Sequence, residues 1–175
     1  MNDTLQDTLQ DALKESALDA HDALYLGRAI ALSRDTSARG NRPFGAVIAL
    51  PDGTVIAEAC NVTTESGDCT AHAETEALRM ASPKASRDVL AQATMYASGE
   101  PCVMCAGATY WSNIRRVVFG IDAVRLRRFR NMHSGAGDLV MSCREVFAQA
   151  PHAIEVVGPA MLADATAVHE AFWRR

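Results

Sequence analysis

Ala93-Thr-Met-Tyr-Ala97-Ser-Gly-Glu-Pro101-Cys102-Val-Met-Cys105 is the stretch on which the fold turns. Residues 93–97 read as a short buried strand, Gly99 supplies a turn, and Pro101 suits the first position of a helix because it has no N–H to lose there. A helix from about 102 to 112 follows. Val117-Val-Phe-Gly-Ile121 reads as the next buried strand, so this segment is a strand, helix, strand unit with a parallel crossover.

Working outward toward the N-terminus, Ala71-His-Ala-Glu-Thr-Glu-Ala-Leu-Arg-Met80 has strong helix-forming composition and is closed by Pro83. Before it, Phe44–Leu50 and Thr54–Cys60 flank the turn Pro51-Asp52-Gly53, which predicts a β-hairpin. Leu18, Tyr25, Ala29 and Leu32 fall on one helical face and predict a helix over about 19–35, ending before the loop 37–43. Toward the C-terminus, 122–138 reads as an Arg-rich segment running into the loop Ser134-Gly-Ala-Gly-Asp138. Ser142-Cys-Arg-Glu145 has capping-box form and opens a short helix to about 149. Ile154–Val157 is a fifth strand and 160–173 a terminal helix. The expected architecture is α/β, a three-layer α/β/α sandwich with a five-stranded mixed sheet. One domain is expected over 17–175, preceded by a flexible acidic N-terminal arm at 1–16.

Composition narrows the function. The chain has 175 residues, 49% hydrophobic and 22% charged, with a net charge of −4. That balance supplies no overall attraction to nucleic acid or an anionic membrane. Six arginines between 115 and 130 are the local exception, readable as a phosphate track or as a solvated helix face. Five cysteines are too few and too odd in number for a disulfide scaffold, so free thiols or metal ligands are expected. With no signal peptide in the first fifteen residues and no membrane-length apolar run, the expected location is cytoplasmic, with no membrane partner.

The chemistry concentrates in His72-Ala73-Glu74 and Pro101-Cys102-Val-Met-Cys105. Two cysteines three apart share one helix face, and at a helix N-terminus the free N–H groups favour thiolate. Cys102, Cys105 and a neutral His72 nitrogen make three ligands for one Zn²⁺, leaving a fourth position for water or hydroxide, the arrangement of a catalytic site. Glu74 is placed as proton shuttle, not as ligand. Taken singly, Cys-x-x-Cys is also a redox pair or half of a structural zinc knot, and His-x-Glu an ordinary helix surface; neither alternative explains both halves together.

The His-x-Glu and Pro-Cys-x-x-Cys pair is the signature of zinc-dependent nucleobase deaminases. With Arg42-Pro-Phe-Gly-Ala-Val-Ile48, Asn61-Val-Thr-Thr64, Asp68-Cys-Thr-Ala-His-Ala-Glu74 and Glu100-Pro-Cys-Val-Met-Cys-Ala-Gly107, the chain resembles the cytidine deaminase-like superfamily over about 42–122, most nearly its small bacterial guanine deaminases. The resemblance implies hydrolytic deamination of a free nucleobase, guanine to xanthine plus ammonia as the leading case, by a homodimer. Another aminopurine, cytosine, an aminotriazine and tRNA adenosine remain alternatives, because Cys69 and Val103 stand where guanine deaminases commonly carry Pro. It also implies substrate-binding roles for Asn61, which binds the base, for Trp111, which stacks on it, and for Ala73. Phe44 walls the pocket, and an acidic residue of the C-terminal third, Asp138 with Glu145 behind it, meets the purine. On residue type alone, Asn61 is also readable as a turn former, and Trp111 and Phe44 as core side chains. Phe172 or Trp173 stands in for a longer aromatic tail or simply packs on the core.

Overall fold

In a computed structural model of the chain, residues 18–134 and 139–174 are described. The expected arm 1–16 and Asp138 lie outside them. The first helix, α1, spans Ala20–Ala38 and starts at Asp19, whose side chain accepts the Asp22 N–H. It runs three residues past its expected end. Its last turn keeps burying small polar side chains, with the Thr36 hydroxyl donating to the Asn61 carbonyl.

Strands β1 (Gly45–Ala49) and β2 (Val55–Cys60) form the predicted antiparallel hairpin. A short helix α2 (Thr63–Ser66) leads into α3 (Ala73–Ala81) and α4 (Arg87–Leu90). Then come β3 (Thr94–Gly99), α5 (Val103–Ser112) and β4 (Arg116–Ile121). The sheet order is β2-β1-β3-β4-β5, with β5 at Glu155–Val157. Strand β1 is antiparallel to both neighbours, whereas β3, β4 and β5 run parallel, so the sheet is mixed as expected.

The segment after β4 differs from the expected irregular run. Ala123–Ser134 is a helix, α6, because both of its first-turn needs are met: Asp122 accepts the Arg125 N–H at 2.8 Å, and Glu100 accepts the Ala123 N–H at 2.8 Å. Helix α7 (Cys143–Phe147) opens on the anticipated Ser142–Glu145 capping box, and α8 spans Leu162–Trp173.

Alternation along the strands creates two cores. Ile48, Met95, Val117 and Phe119 face α3, α5 and α7, while Val47, Tyr96 and Val118 face α1, α6 and α8. Layer contact is close enough at Gly45 to exclude a side chain, since a Cβ there would lie 2.3 Å from the Ala29 carbonyl oxygen.

Candidate metal centre and active site

The parallel strands β3 and β4 end at Gly99 and Ile121, and the helices that follow them start at one edge of the sheet. That edge is where α/β folds place ligands. His72 is the N-cap of α3 and Cys102 the N-cap of α5, so two helix starts meet there. The expected trio assembles: Cys102 Sγ and Cys105 Sγ are 3.6 Å apart, and His72 Nδ1 lies 3.7 and 3.6 Å from them. Zn–S bonds of about 2.3 Å and a Zn–N bond of about 2.0–2.1 Å in a tetrahedron require edges of roughly 3.8 and 3.6 Å. The three donors therefore fit zinc with almost no adjustment.

Hydrogen bonding from Cys105 leads in driving the Cys102 thiol down to about 4, and the same bond with burial pushes Cys105 up. His72 is raised, chiefly by its contact with Cys102. Glu74 occupies the first turn of α3 and is 5% exposed. Burial first, and the Cys102 charge second, pushes its carboxyl up to about 7.

Beside the metal position lies a cavity of about 280 Å³. Its walls include Phe44 and Asn61 from the hairpin side, Glu74 and His72 at the metal, and Leu126 and Arg127 from α6. Asn61 is 1% exposed, and its Oδ1 accepts the Thr63 N–H at 3.2 Å and the Thr63 hydroxyl at 2.9 Å. With the carbonyl so occupied, the amide offers donors to the cavity, a narrower role than the two-way pairing an amide could make. Ala73 is the first residue of α3 and fully buried; its N–H has no helical partner.

Trp111 is a correction. It is 70% exposed and does not line the cavity. Six residues past the buried Cys105 is about 240° around an α-helix, which turns the indole away from the metal face. Its ring rests edge-on against Tyr110. Glu145 is also redirected: its carboxylate accepts the Ser142 N–H and hydroxyl, so it caps α7. Phe172 and Trp173 pack edge-to-face against each other at 4.9 Å and are not wall residues.

Several residues at the site had no individual signal in the sequence. Glu100 accepts both the Ala123 N–H and the Cys143 N–H, at 2.8 and 3.0 Å, and so ties the starts of α6 and α7 to the metal loop. An acid directly before the Pro-Cys pair is the trace that could have revealed it. Arg42, Arg127, Arg130, Met104, Leu139 and Met141 complete the rim.

A buried acid two residues after a histidine ligand, beside two cysteine sulfurs at a helix start and a small cavity, defines a zinc-dependent deaminase site on a three-layer α/β/α fold. Residues 19–121 match the family described as the cytidine and deoxycytidylate deaminase zinc-binding region, and the chain belongs to that family. Among curated relatives, a probable cytosine deaminase of Schizosaccharomyces pombe is 38% identical over 156 residues, covering 89% of this chain and 94% of its own. The guanine deaminase of Bacillus subtilis is 41% identical over 99 residues, 56% of this chain and 63% of that protein. Among solved structures, the guanine deaminase from Nitrosomonas europaea superposes with a TM-score of 0.73 at 25% identity, covering 90% of this chain and 87% of that one.

Proposed function

We propose that this deaminase acts on a nucleobase ring presented as a small molecule, with guanine as the leading case. The observation that carries the reading is the cavity itself. Its volume of about 280 Å³ lies just below the range of small-ligand sites, roughly 300 to 1,000 Å³.

Zinc, when held by His72, Cys102 and Cys105, would supply Lewis acidity to an attacking water. Glu74 moves two protons in turn: buried beside the ligand set, it accepts one from the attacking water and gives it to the ring nitrogen, then carries the second from the newly added hydroxyl to the departing amine. Asn61 donates through its amide to a ring acceptor, and Phe44 borders the ring's face. The free Ala73 N–H, at the positive start of α3, is a second donor for a ring carbonyl. Walls of Leu126, Val103 and Met104 exclude bulk water.

The guanine assignment draws on the Nitrosomonas europaea and Bacillus subtilis relatives. Cytosine is the second reading, favoured by the Schizosaccharomyces pombe relative, which aligns over nearly its whole length. Ammonia release measured in parallel from guanine, cytosine, adenine and a tRNA anticodon stem-loop tests it. Guanine is expected to be fastest among these; release from cytosine alone transfers the assignment to it, and release only from the stem-loop rejects the small-molecule reading.

A further inference from the structure

Among the described glycines, Gly99 stands apart. Gly40, Gly53, Gly67 and Gly158 hold positive φ, and at Gly45 and Gly120 a Cβ would strike a backbone oxygen. Gly99 is the buried last residue of β3, in a backbone conformation that any residue adopts. What it lacks is room. A Cβ there would lie 3.0 and 3.2 Å from Phe44 Cε1 and Cδ1, and 3.1 Å from Leu126 Cδ1. Carbon atoms rest at about 3.5–4.0 Å from one another, so both side chains would have to yield by a few tenths of an ångström. Phe44 and Leu126 line the cavity beside the metal position, whereas Gly99 does not. It lies behind them.

The surrounding packing gives that movement one direction. Phe44 is backed by the buried His169, with ring centroids 5.1 Å apart, and His169 by the Phe129 ring at 6.0 Å. Leu126 is buried in the core, and its helix α6 is fixed at its start by Asp122 and Glu100. The β3 backbone is held as well. Gly99 is in register with Ile121 of β4, the Glu100 N–H donates to the Ile121 carbonyl at 2.8 Å, and the Ser98 hydroxyl accepts the Gly45 N–H at 3.0 Å. The open volume next to both side chains is the cavity of about 280 Å³. A close-packed interior passes a methyl's volume on to its neighbours, so a side chain at position 99 moves Phe44 and Leu126 toward the space where a base lies. Glycine weakens a strand and often marks a place where a ligand or another group approaches closely.

We propose that Gly99 is a positioning residue: its bare α-carbon seats Phe44 and Leu126 back from the metal position and leaves the cavity wide enough for a two-ring base. The inference rests on the deaminase reading of the cavity and narrows its substrate class to purines. With the reacting carbon held at the metal, the second ring of a purine lies farther along the cavity, against these walls, and a pyrimidine ends short of them. Width lost at Phe44 and Leu126 therefore falls on the second ring. One methylene in an apolar pocket changes discrimination about 10- to 200-fold, and Gly99→Ala adds a group of that size behind the wall.

Hypoxanthine and uracil, a two-ring and a one-ring probe with no amine to lose, test this by calorimetry on the zinc-loaded protein. The wild type is expected to favour hypoxanthine. Gly99→Ala should lower the hypoxanthine-to-uracil affinity ratio at least about fivefold while uracil binding stays within about twofold. Gly99→Ala/Phe44→Leu, which gives the space back, should return to the ratio of Phe44→Leu alone. An unchanged ratio in Gly99→Ala, or equal weakening of both probes, overturns the proposal, and a wild type that favours uracil overturns the purine class. If Gly99→Ala loses its cooperative urea transition, the Phe44→Leu pair decides: a folded double variant with the Phe44→Leu ratio supports the wall contact, and an unfolded one overturns it. Ammonia release keeps the underlying reading separate. Guanine turnover with an unshifted ratio retains guanine and removes Gly99; the shifted ratio with no ammonia from guanine supports Gly99 as the residue that sets the width and rejects guanine as the substrate.

Discussion

Among the described residues two acidic side chains are buried, at opposite ends of the same sheet, and they are treated in opposite ways. Glu74, 5% exposed at the ends of the parallel strands, has no Arg or Lys paired to it among the described residues and is pushed up to about 7 by burial. Asp22, 2% exposed on α1, lies where β4 begins and accepts two hydrogen bonds from Arg116, at 2.6 and 2.8 Å, and one from the Tyr96 hydroxyl at 3.0 Å. Burial alone pulls its carboxyl up, but the Arg116 bonds and charge outweigh that and leave it lowered. Burial therefore does not decide the protonation of a carboxyl; the partner does. One end of the sheet keeps a carboxyl able to change its proton near neutrality. The other locks a carboxylate in place.

The sharpest way to break this contrast is Glu74→Gln, which keeps the shape of the side chain and removes its proton traffic. Ammonia release is expected to fall by about 10²–10⁴-fold while zinc content stays at one per chain. Undiminished turnover would move the shuttle elsewhere. Cys105→Ala removes a ligand instead, and elemental analysis should find the zinc largely lost; full occupancy would dismiss the trio as the metal site.

At the other end, Arg116→Met leaves Asp22 buried without its cation. Loss of one member of a buried pair typically costs 3–5 kcal/mol, and because Arg116 is 27% exposed on its side chain the expectation is about 2–4 kcal/mol in urea unfolding. Adding Asp22→Asn should recover most of it. The pair's stabilisation is present above the unfolded Asp pKa of about 3.9 and is lost as pH falls through the lowered folded value, so the gap between wild type and the double variant should close only below about pH 4.

His169 gives a smaller, oppositely placed effect. It is 1% exposed between Phe44 and Phe129, neither ring nitrogen has a hydrogen-bond partner among the described residues, and burial, with Arg130 adding to it, depresses its pKa to about 4. Between about pH 6.5 and 4 the unfolded chain binds a proton that the folded chain refuses, so stability falls with pH across that window. His169→Leu should flatten the fall by something on the order of 2 kcal/mol at pH 4, read as the pH dependence of the urea midpoint. An unchanged slope would mean that the ring is protonated in the folded state.

Legibility in the sequence followed the range of the interactions. The strand, turn and helix around 93–105 were readable because each is set by neighbours within four residues, as was the Ser142–Glu145 cap. So were His72, Cys102 and Cys105, whose types and spacing carry the chemistry even though residues 30 apart meet at 3.7 Å. Helix α6 was missed because its start depends on Glu100, which approaches from 23 residues away. The arginine rim was visible as a cluster, but which arginines face inward depends on the phase of a helix that had not been recognised. That the Asn61 carbonyl is taken by the Thr63 N–H and hydroxyl was not legible, because an amide's free edge depends on the local turn.

The smallest effect expected is at Trp111, and it tests how far a spacing argument carries. Phe44 and Trp111 were both placed around a bound base, yet Phe44 lines the cavity and Trp111 stands 70% exposed on the outer face of α5. An indole that is 70% exposed and rests edge-on against its neighbour Tyr110 contributes little to one chain's stability or to its cavity. Trp111→Ala should therefore shift KM by less than about threefold and stability by less than about 1 kcal/mol, whereas Phe44→Ala, which opens the wall and strips an edge contact at 5.1 Å from His169, should raise KM and cost several times more stability. A tenfold rise in KM for Trp111→Ala would break that ranking. Helical phase within one chain keeps the indole away from its own cavity, so such a result would require a second copy of the chain to bring it to a site.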